Sequence, residues 1–368
     1  MSEKETTVST VLNYRSNMIV ELMRMPAEEH DELWLKNALQ QAVLLELATL
    51  PPYLCGLWSI EDPDRDGDVA ETIKEIIFDE MSHMGLVCNM LTTIGGAPRI
   101  ADAALVPKYP GPLPGGVRPE LSVSLTGLTR EAVDMYSQIE RPDDPVVEDA
   151  EVHTSIGAFY TQILEAFRNQ PQLIKGTKQV TRDMSSLHGK GNDVVALTSL
   201  DDVEAAITII KEQGEGTTAS PDNPFPGQPG ELAHFYSFRE IFHGRKLVLV
   251  SSDPQRFDFQ GDEIPMPRTS RMGTVPSGGW EQGGVPVSSE VRGVLDTFNQ
   301  HYSALLRSLE SAWQADPSST PTPAHLLNQA VREMGKLEDP ARQLMQIPLS
   351  DGSEMTFGPE FRYVEAGG

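Results

Sequence analysis

The sequence predicts a mainly α-helical protein whose helices are joined by long irregular connections. Apolar residues recur at helical spacing in several stretches, and segments rich in Pro and Gly separate those stretches. No alternation of short strands with helices indicates a parallel sheet. The chain also shows no internal repeat, phosphate-binding loop, dinucleotide fingerprint or nucleophile elbow.

The helices follow one another along the chain. A helix over about 31–50 should end at Pro51-Pro52, because the residue before a proline is pushed out of helical geometry. A second helix over about 69–94 should end at Gly95-Gly96. Residues 97–143 and 214–229 predict long irregular insertions. Further helices are predicted over about 147–168, 200–213, from about 230, 287–315 and 322–346.

These elements divide the chain into three parts. Residues 1–28 are a polar lead-in, residues 29–250 form a bundle that carries both insertions, and residues 251–368 form a loop and helical extension packed on that bundle. A length of 368 residues fits two domains, or one large domain with insertions.

The composition excludes several classes of function. There are 29 Lys and Arg against 54 Asp and Glu, a net charge of −25, whereas nucleic acids and anionic membranes attract basic surfaces. The apolar stretch 37–60 contains Gln40, Glu46 and two prolines, which favours a buried helix over a membrane span. Cys55 and Cys88 are too few for a disulfide framework or a thiolate zinc site. The N-terminus lacks a signal-peptide pattern, so we expect a cytoplasmic protein.

Charged side chains on apolar helix faces mark the candidate site. Glu46 is the only charged residue between Asn37 and Ile60, and a buried carboxylate needs a partner or a metal ion. Glu80 and His83 lie one turn apart in the middle of the apolar face of the second helix. This E-x-x-H spacing is the ligand motif of four-helix bundles that hold two metal ions. The sequence therefore predicts a four-helix bundle with a metal centre.

Two further E-x-x-H pairs lie nine residues apart in one predicted helix, so they face opposite sides of it. The apolar side of this helix carries Phe235, Phe238, Ile241 and Phe242. Glu231 and His234 share that side, whereas Glu240 and His243 lie opposite or oblique to it. We therefore assign Glu231 and His234 to the site, and Glu240 and His243 to a solvated face.

The fourth carboxylate is the least defined ligand. Glu165, above small residues on the 147–168 helix, is the first candidate, and a surface position explains it equally well. Glu212 and Glu215 flank a helix end and are alternatives, as is His153 on an apolar face, where a satisfied core histidine is the commoner role.

Three tyrosines are candidates for groups that support the ligands or face a substrate, with core packing as the alternative for each. They are Tyr53, Tyr160 and Tyr236.

Six strings, in order from about residue 30 to 365, resemble ferritin-like proteins related to the VioB/RebD iminophenyl-pyruvate dimer synthases. They are LLELATLPPYLCGLWSI, IIFDEMSHMGLVCNMLTTIGGAPRI, TSIGAFYTQI, IIKEQGEGT, GELAHFYSFREI and ARQLMQIPLSDG with TFGPEFRYV. The resemblance implies a ferritin-like four-helix bundle with long loop insertions and extra C-terminal helices. The positions that match the family's ligands are Glu46, Glu80, His83, Glu231 and His234.

The resemblance further implies a non-haem metal-dependent oxidoreductase, an oxidase or oxygenase of natural-product biosynthesis. A ligand set rich in carboxylates suits iron, with two ions bridged for dioxygen activation, or manganese. The expected partners are dioxygen and a small organic or amino-acid-derived substrate, with no nucleic acid and no membrane, and the oligomeric state stays open. A ferroxidase or iron-storage protein and a metal-free scaffold that keeps the bundle are the alternatives.

Overall fold

The computed structural model describes residues 17–63, 67–142, 155–216, 220–225, 231–253 and 255–365. Within these ranges lie eleven α-helices and one antiparallel pair of strands. The helices are α1 (Met18–Arg24), α2 (Glu32–Ser59), α3 (Gly67–Thr93), α4 (Arg130–Ile139), α5 (Ile156–Asn169), α6 (Met184–His188), α7 (Leu200–Glu215), α8 (His234–His243), α9 (Ser289–Gln314), α10 (Pro323–Met334) and α11 (Glu338–Leu344). The strands are β1 (Val248–Ser252) and β2 (Gln255–Asp258).

The long helices α2 and α3 pack against each other, while α4 pairs with α8 and α5 with α7 around them. Helix α2 is long and apolar enough to cross a membrane by length and composition alone. However, 83% of its most apolar window is buried inside the structure, as is usual for the core helix of a bundle. The prediction of a buried helix in this stretch is confirmed.

Helix α2 continues through its proline pair to Ser59. A proline removes the N–H that would serve the carbonyl four residues earlier, which for Pro52 is the carbonyl of Ala48. Tyr109 Oη donates a hydrogen bond to that oxygen at 2.7 Å. The predicted end at Pro51-Pro52 is therefore wrong. The carbonyl that loses its helical partner receives a hydrogen bond from a side chain distant in sequence.

The insertion at 97–143 contains a helix, α4, near its end. Thr129 caps this helix by accepting a hydrogen bond from the backbone N–H of Ala132 at 3.1 Å. The helix buries one apolar face against α8, formed by Ala132, Val133, Tyr136 and Ile139. The prediction of a wholly irregular insertion is wrong, because a capped amphipathic helix follows the Pro- and Gly-rich part.

Helix α8 begins at His234, four residues later than predicted. The residues before it pair with an earlier segment: Asn223 N donates to Glu231 O at 2.8 Å, and Ala233 N donates to Pro221 O at 2.9 Å. Because these backbone groups are bonded to another segment, Glu231 is not part of the helix.

The C-terminal helices pack on the bundle. Helix α9 confirms the helix predicted over 287–315, whereas the one predicted over 322–346 is two helices, α10 and α11. Helix α9 contacts α3, α10 and α11. Trp313 Nε1 donates to Asn89 Oδ1 at 2.8 Å, and Arg342 Nη1 donates to the carbonyls of Trp58 and Ile60 at 2.9 and 2.8 Å.

Candidate metal centre

Five buried ligand-type side chains from four helices meet in the interior of the bundle. Glu46 lies on α2, Glu80 and His83 lie on α3, Glu140 follows the last residue of α4, and His234 is the first residue of α8. They form two groups, Glu46 with Glu80 and His83, and Glu80 with Glu140 and His234. Within each group the potential ligand atoms lie within 4.8 Å of one another. The structure therefore brings together three carboxylates and two imidazoles.

Glu80 belongs to both groups. Its Oε1 lies 3.0 Å from His234 Nδ1 and 3.6 Å from His83 Nδ1. Its other oxygen, Oε2, accepts a hydrogen bond from Thr49 Oγ1 at 3.0 Å. The carboxylate thus lies between the two imidazoles, is fixed from α2, and could contribute an oxygen to either group.

Both imidazoles direct Nδ1 toward the carboxylates and Nε2 away from them. His83 Nε2 lies 2.8 Å from Gln213 Oε1, an amide oxygen that can only accept, so Nε2 carries the proton. His234 Nε2 lies 3.3 Å from Asp79 Oδ2, again an acceptor. In a neutral imidazole these contacts leave the Nδ1 lone pair free to bind a metal, the usual role of a group behind a metal-binding histidine.

Two tyrosines donate hydrogen bonds to Glu46 and Glu140, the two carboxylates that each belong to a single ligand group. Tyr160 Oη donates to Glu46 Oε1, and Tyr53 Oη donates to Glu140 Oε1. Burial, together with the nearby carboxylates, raises the pKa of both phenols well above the usual value, so they remain donors. Tyr236, the third predicted tyrosine, lies instead in a separate apolar cluster with Ala233 and Phe235.

Bound protons offset part of the negative charge that the three carboxylates would otherwise carry. Burial and the charge of Glu80 raise the pKa of Glu46 and Glu140 to about 8 each. Burial also acts to raise the pKa of Glu80, but His234 and His83 outweigh it and hold this pKa well below its usual range. Burial opposes charge on His83, yet Glu80 outweighs it and raises the pKa to about 9. The protons therefore occupy positions where a metal would supply positive charge.

The arrangement fits a metal centre on two observations. His234 Nδ1 is fully buried and makes no hydrogen bond, although Glu80 Oε1 is 3.0 Å away, because the two atoms are not aligned as donor and acceptor. The donor set, carboxylate oxygens with imidazole nitrogens, is the one that suits non-haem iron and manganese in helical bundles.

A cavity of ≈ 30 Å³ adjoins four of these side chains. Its opposite wall comes from α5 and α7 and includes Gly157, Lys211, Gly214 and Glu215. A Cβ atom on Gly214 would lie 3.5 Å from Glu140 Oε2, so the absence of a side chain keeps this space open. The volume suffices for about two water-sized molecules, or for dioxygen.

Several predicted ligands lie elsewhere. Glu231 is half-buried before α8, with Oε1 3.4 Å from Asn223 Nδ2, and is in neither ligand group. Glu165 is exposed and forms an ion pair with Arg168 at 2.9 Å. Glu212 is half-buried on α7 and is also in neither group. Glu215 lines the cavity, but its Oε1 accepts a hydrogen bond from Gly157 N at 2.9 Å. His153 lies outside the described residues.

Glu240 and His243, the pair on α8 that was predicted to lie on a solvated face, differ in their exposure. His243 is exposed and stacks on Phe259, with ring centroids 4.2 Å apart. Glu240 is buried, contrary to the prediction, because the chain after α8 folds back over it. Its carboxylate accepts hydrogen bonds from Leu247 N and Lys246 Nζ, both at 2.7 Å.

Glu140 is the ligand-type residue that sequence reasoning missed. It stands one residue beyond an amphipathic helix inside the insertion that was expected to be irregular. The available signal was the N-cap Thr129 followed by apolar residues at helical spacing.

We expect Gln213→Leu to weaken metal binding chiefly at the group of Glu46, Glu80 and His83. The change removes the acceptor for His83 Nε2 at nearly constant volume, and loss of such a partner costs about 10- to 100-fold in metal affinity. Titration of the metal-free protein, followed by equilibrium dialysis, measures this. Gln213→Glu restores an acceptor and serves as the control. Equal affinity in the Leu variant and the wild type would show that Gln213 does not position His83.

We also expect metal binding to release protons near neutral pH and to become tighter as the pH rises. Glu46 and Glu140, with pKa values of about 8, and His83, with a pKa of about 9, hold protons that a metal must displace. Calorimetric titrations in two buffers of different ionisation enthalpy give the number of protons released. That number should fall as the pH rises from about 7 toward about 10. Binding enthalpies independent of the buffer at pH 7 would contradict this protonation scheme.

The comparisons with known proteins agree with this architecture. A family model described as Ferritin-like matches residues 39–243, more than half of the chain. Among solved structures, a ferritin-like protein from Caulobacter vibrioides has a TM-score of 0.58 and 20% sequence identity. The match covers 90% of this chain and 97% of that one, and at this identity it shows the fold alone. No curated protein matches the sequence.

Proposed function

This chain belongs to the ferritin-like family, and we propose that its buried carboxylate–histidine cluster binds two metal ions, iron in preference to manganese. The family model and the structural neighbour confirm the mainly α, ferritin-like fold expected from the sequence. The observation that carries the proposal is the position of Glu80, which lies between both imidazoles and is common to both ligand groups. Glu46 and His83 would hold one ion, and Glu140 and His234 the other.

We propose that the protein is a dioxygen-dependent oxidoreductase acting on a small organic substrate. Iron held by Glu46, Glu80, His83, Glu140 and His234 would supply the redox chemistry needed to activate dioxygen and oxidise a substrate. The cavity beside Glu46, Glu80 and Glu140 offers room for dioxygen at the cluster. The resemblance to the VioB/RebD enzymes favours an amino-acid-derived substrate of natural-product biosynthesis.

Four side chains around the cluster orient its carboxylates and imidazoles by hydrogen bonds. The phenols of Tyr160 and Tyr53 each donate to a ligand carboxylate and stay protonated, so they fix Glu46 and Glu140 while leaving one oxygen of each for a metal. Gln213 and Asp79 keep the Nε2 atoms of His83 and His234 turned away from the cluster. Apolar packing around the site excludes bulk water.

A ferroxidase is the second candidate, and the size of the cavity favours it. At ≈ 30 Å³ the space beside the cluster admits dioxygen and water, but not an amino-acid-sized molecule without movement of α5 or α7. Glu215 stands at its edge and would give an entering cation a carboxylate.

Anaerobic loading with Fe(II), followed by exposure to air, tests these proposals. Two equivalents of iron that remain bound, with a visible absorption band lost on reduction, would support the oxidoreductase. Repeated oxidation of many equivalents of Fe(II) per chain would support the ferroxidase. No bound iron or manganese under any loading condition would refute both and favour a metal-free scaffold.

A further inference from the structure

A second cavity, almost wholly apolar, lies between the bundle and the C-terminal helices. Its volume is ≈ 110 Å³, and its lining includes Leu50 and Leu54 of α2, Ile77 and Met81 of α3, and Leu305 and Leu309 of α9. An engineered apolar cavity of about 150 Å³ stays dry and binds benzene. At about three-quarters of that volume, this cavity has room for an apolar body of about four or five carbon atoms.

The cavity is separate from the metal centre. Leu47 and Met84 line it, and each follows a proposed ligand, Glu46 and His83, in the sequence. Successive residues of a helix point about 100° apart, so α2 and α3 present the ligands on one face and the cavity wall on another. None of the five ligand-type residues lines this cavity.

One side chain in the wall carries a full positive charge, Arg182. It donates from Nε and Nη2 to His188 Nε2, at 3.2 and 2.8 Å, and from Nη1 to Asn328 Oδ1, at 3.0 Å. Burial and the charge of Arg182 lower the pKa of His188, so this histidine is a neutral acceptor. A guanidinium has five N–H donors, and these contacts leave one on each terminal nitrogen.

Arg182 donates only to uncharged groups among the described residues. In the part of the chain that the structure describes, no carboxylate forms an ion pair with it, and burial alone shifts its pKa, downward. A half-buried guanidinium with two N–H groups left over, beside an apolar cavity, matches an anion that has an apolar body.

We propose that this cavity binds a small monocarboxylic acid, with its alkyl or aryl body among the leucines and its carboxylate on Arg182. A carboxylate can accept from both terminal nitrogens of a guanidinium at once, and each terminal nitrogen of Arg182 has one N–H that these contacts do not use. A phosphate dianion would face a single cation in a protein of net charge −25. The site does not depend on the metal centre.

Isothermal titration of the metal-free protein with hexanoate tests the proposal, because without metal the carboxylate cannot bind an iron ion instead. We expect saturable one-to-one binding of hexanoate, at least about tenfold tighter than that of hexan-1-ol, which has the same alkyl body without the charge. Failure of the metal centre to bind iron would leave this result unchanged. No binding of hexanoate to the wild type up to its solubility limit would overturn the proposal.

Three variants separate the contributions of the Arg182 charge and of the apolar cavity to ligand binding. Arg182→Gln should weaken hexanoate binding about tenfold or more and leave hexan-1-ol unaffected. Arg292→Gln, which removes an exposed arginine paired with Glu281, is the matched control and should change neither. Leu309→Trp should fill the cavity and abolish binding of both. Equal hexanoate affinity in the Arg182 variant and the wild type, or undiminished binding in the Leu309 variant, would place the ligand elsewhere.

Discussion

Glu80→Gln should abolish binding of both metal ions while the chain remains folded. Glu80 is the one carboxylate common to both ligand groups, so its loss affects both ions at once. The amide keeps the shape of the side chain and an oxygen for Thr49, but not the charge or the second ligand oxygen. Loss of a partner behind a ligand costs about 10- to 100-fold in affinity, and we expect loss of the shared ligand to exceed about 100-fold.

The fold should tolerate this change because the other two acids can replace the charge. The negative charge of Glu80 contributes to the raised pKa of Glu46 and of Glu140. Without it, both pKa values fall, and an ionised Glu46 or Glu140 can neutralise the nearby imidazoles at 3.8 and 3.9 Å. Breaking a buried ion pair is otherwise strongly destabilising, by about 3–5 kcal/mol.

Metal content after dialysis and far-ultraviolet circular dichroism test this result together. Glu165→Gln is the matched control, because it removes an exposed carboxylate that pairs with Arg168 within α5, away from the cluster, and should keep both ions. Full metal occupancy in the Glu80 variant, or loss of metal in the Glu165 variant, would show that the cluster is not the binding site.

The members of the buried cluster that could be predicted from the sequence are those on the long regular helices. Glu46, Glu80 and His83 lie on α2 and α3, where a charged residue on an apolar face stands out and helical phase is reliable over many turns. His234 was also predicted, from its apolar neighbours on α8, and it lies in the cluster.

Glu231 could not be placed from the sequence because its backbone pairs with the preceding segment 221–223 instead of joining the helix. The helical-phase argument assumed that the helix already included residue 231, whereas the segment Glu231–Ala233 is bonded to residues 221–223. Periodicity describes residues inside a helix and carries little information about where the helix begins.

Glu140 was missed for a related reason. Residues 97–143 begin with closely spaced Pro and Gly residues, and that composition concealed the ten-residue helix α4 at the other end. The continuation of α2 past Pro51 and Pro52 was equally hidden, since it depends on a hydrogen bond from Tyr109, 61 residues after Ala48. The continuation of α2 thus rests on a tertiary contact that local propensity does not encode, whereas α4 carried its own cap and helical spacing.

Loading the protein with Fe(II) or Mn(II) should raise its free energy of unfolding substantially. A ligand that binds only the folded state stabilises it by about 4 kcal/mol at ~1,000 times its dissociation constant. The effect should be large here because the five ligand-type side chains come from four helices, which separate on unfolding. Urea unfolding at fixed free metal concentration, under anaerobic conditions for iron, measures the shift in midpoint.

The two histidines at the ends of α8 provide an internal comparison for this stabilisation. His234 is buried in the cluster, whereas His243, the last residue of the helix, is exposed and stacks on Phe259. His243→Ala should therefore retain the full shift in unfolding midpoint on metal addition. His234→Ala should lose most of it, since one of the two ions loses its only imidazole. The reverse outcome, with loss in the His243 variant and retention in the His234 variant, would mean that the metal binds on the other side of α8, near Glu240.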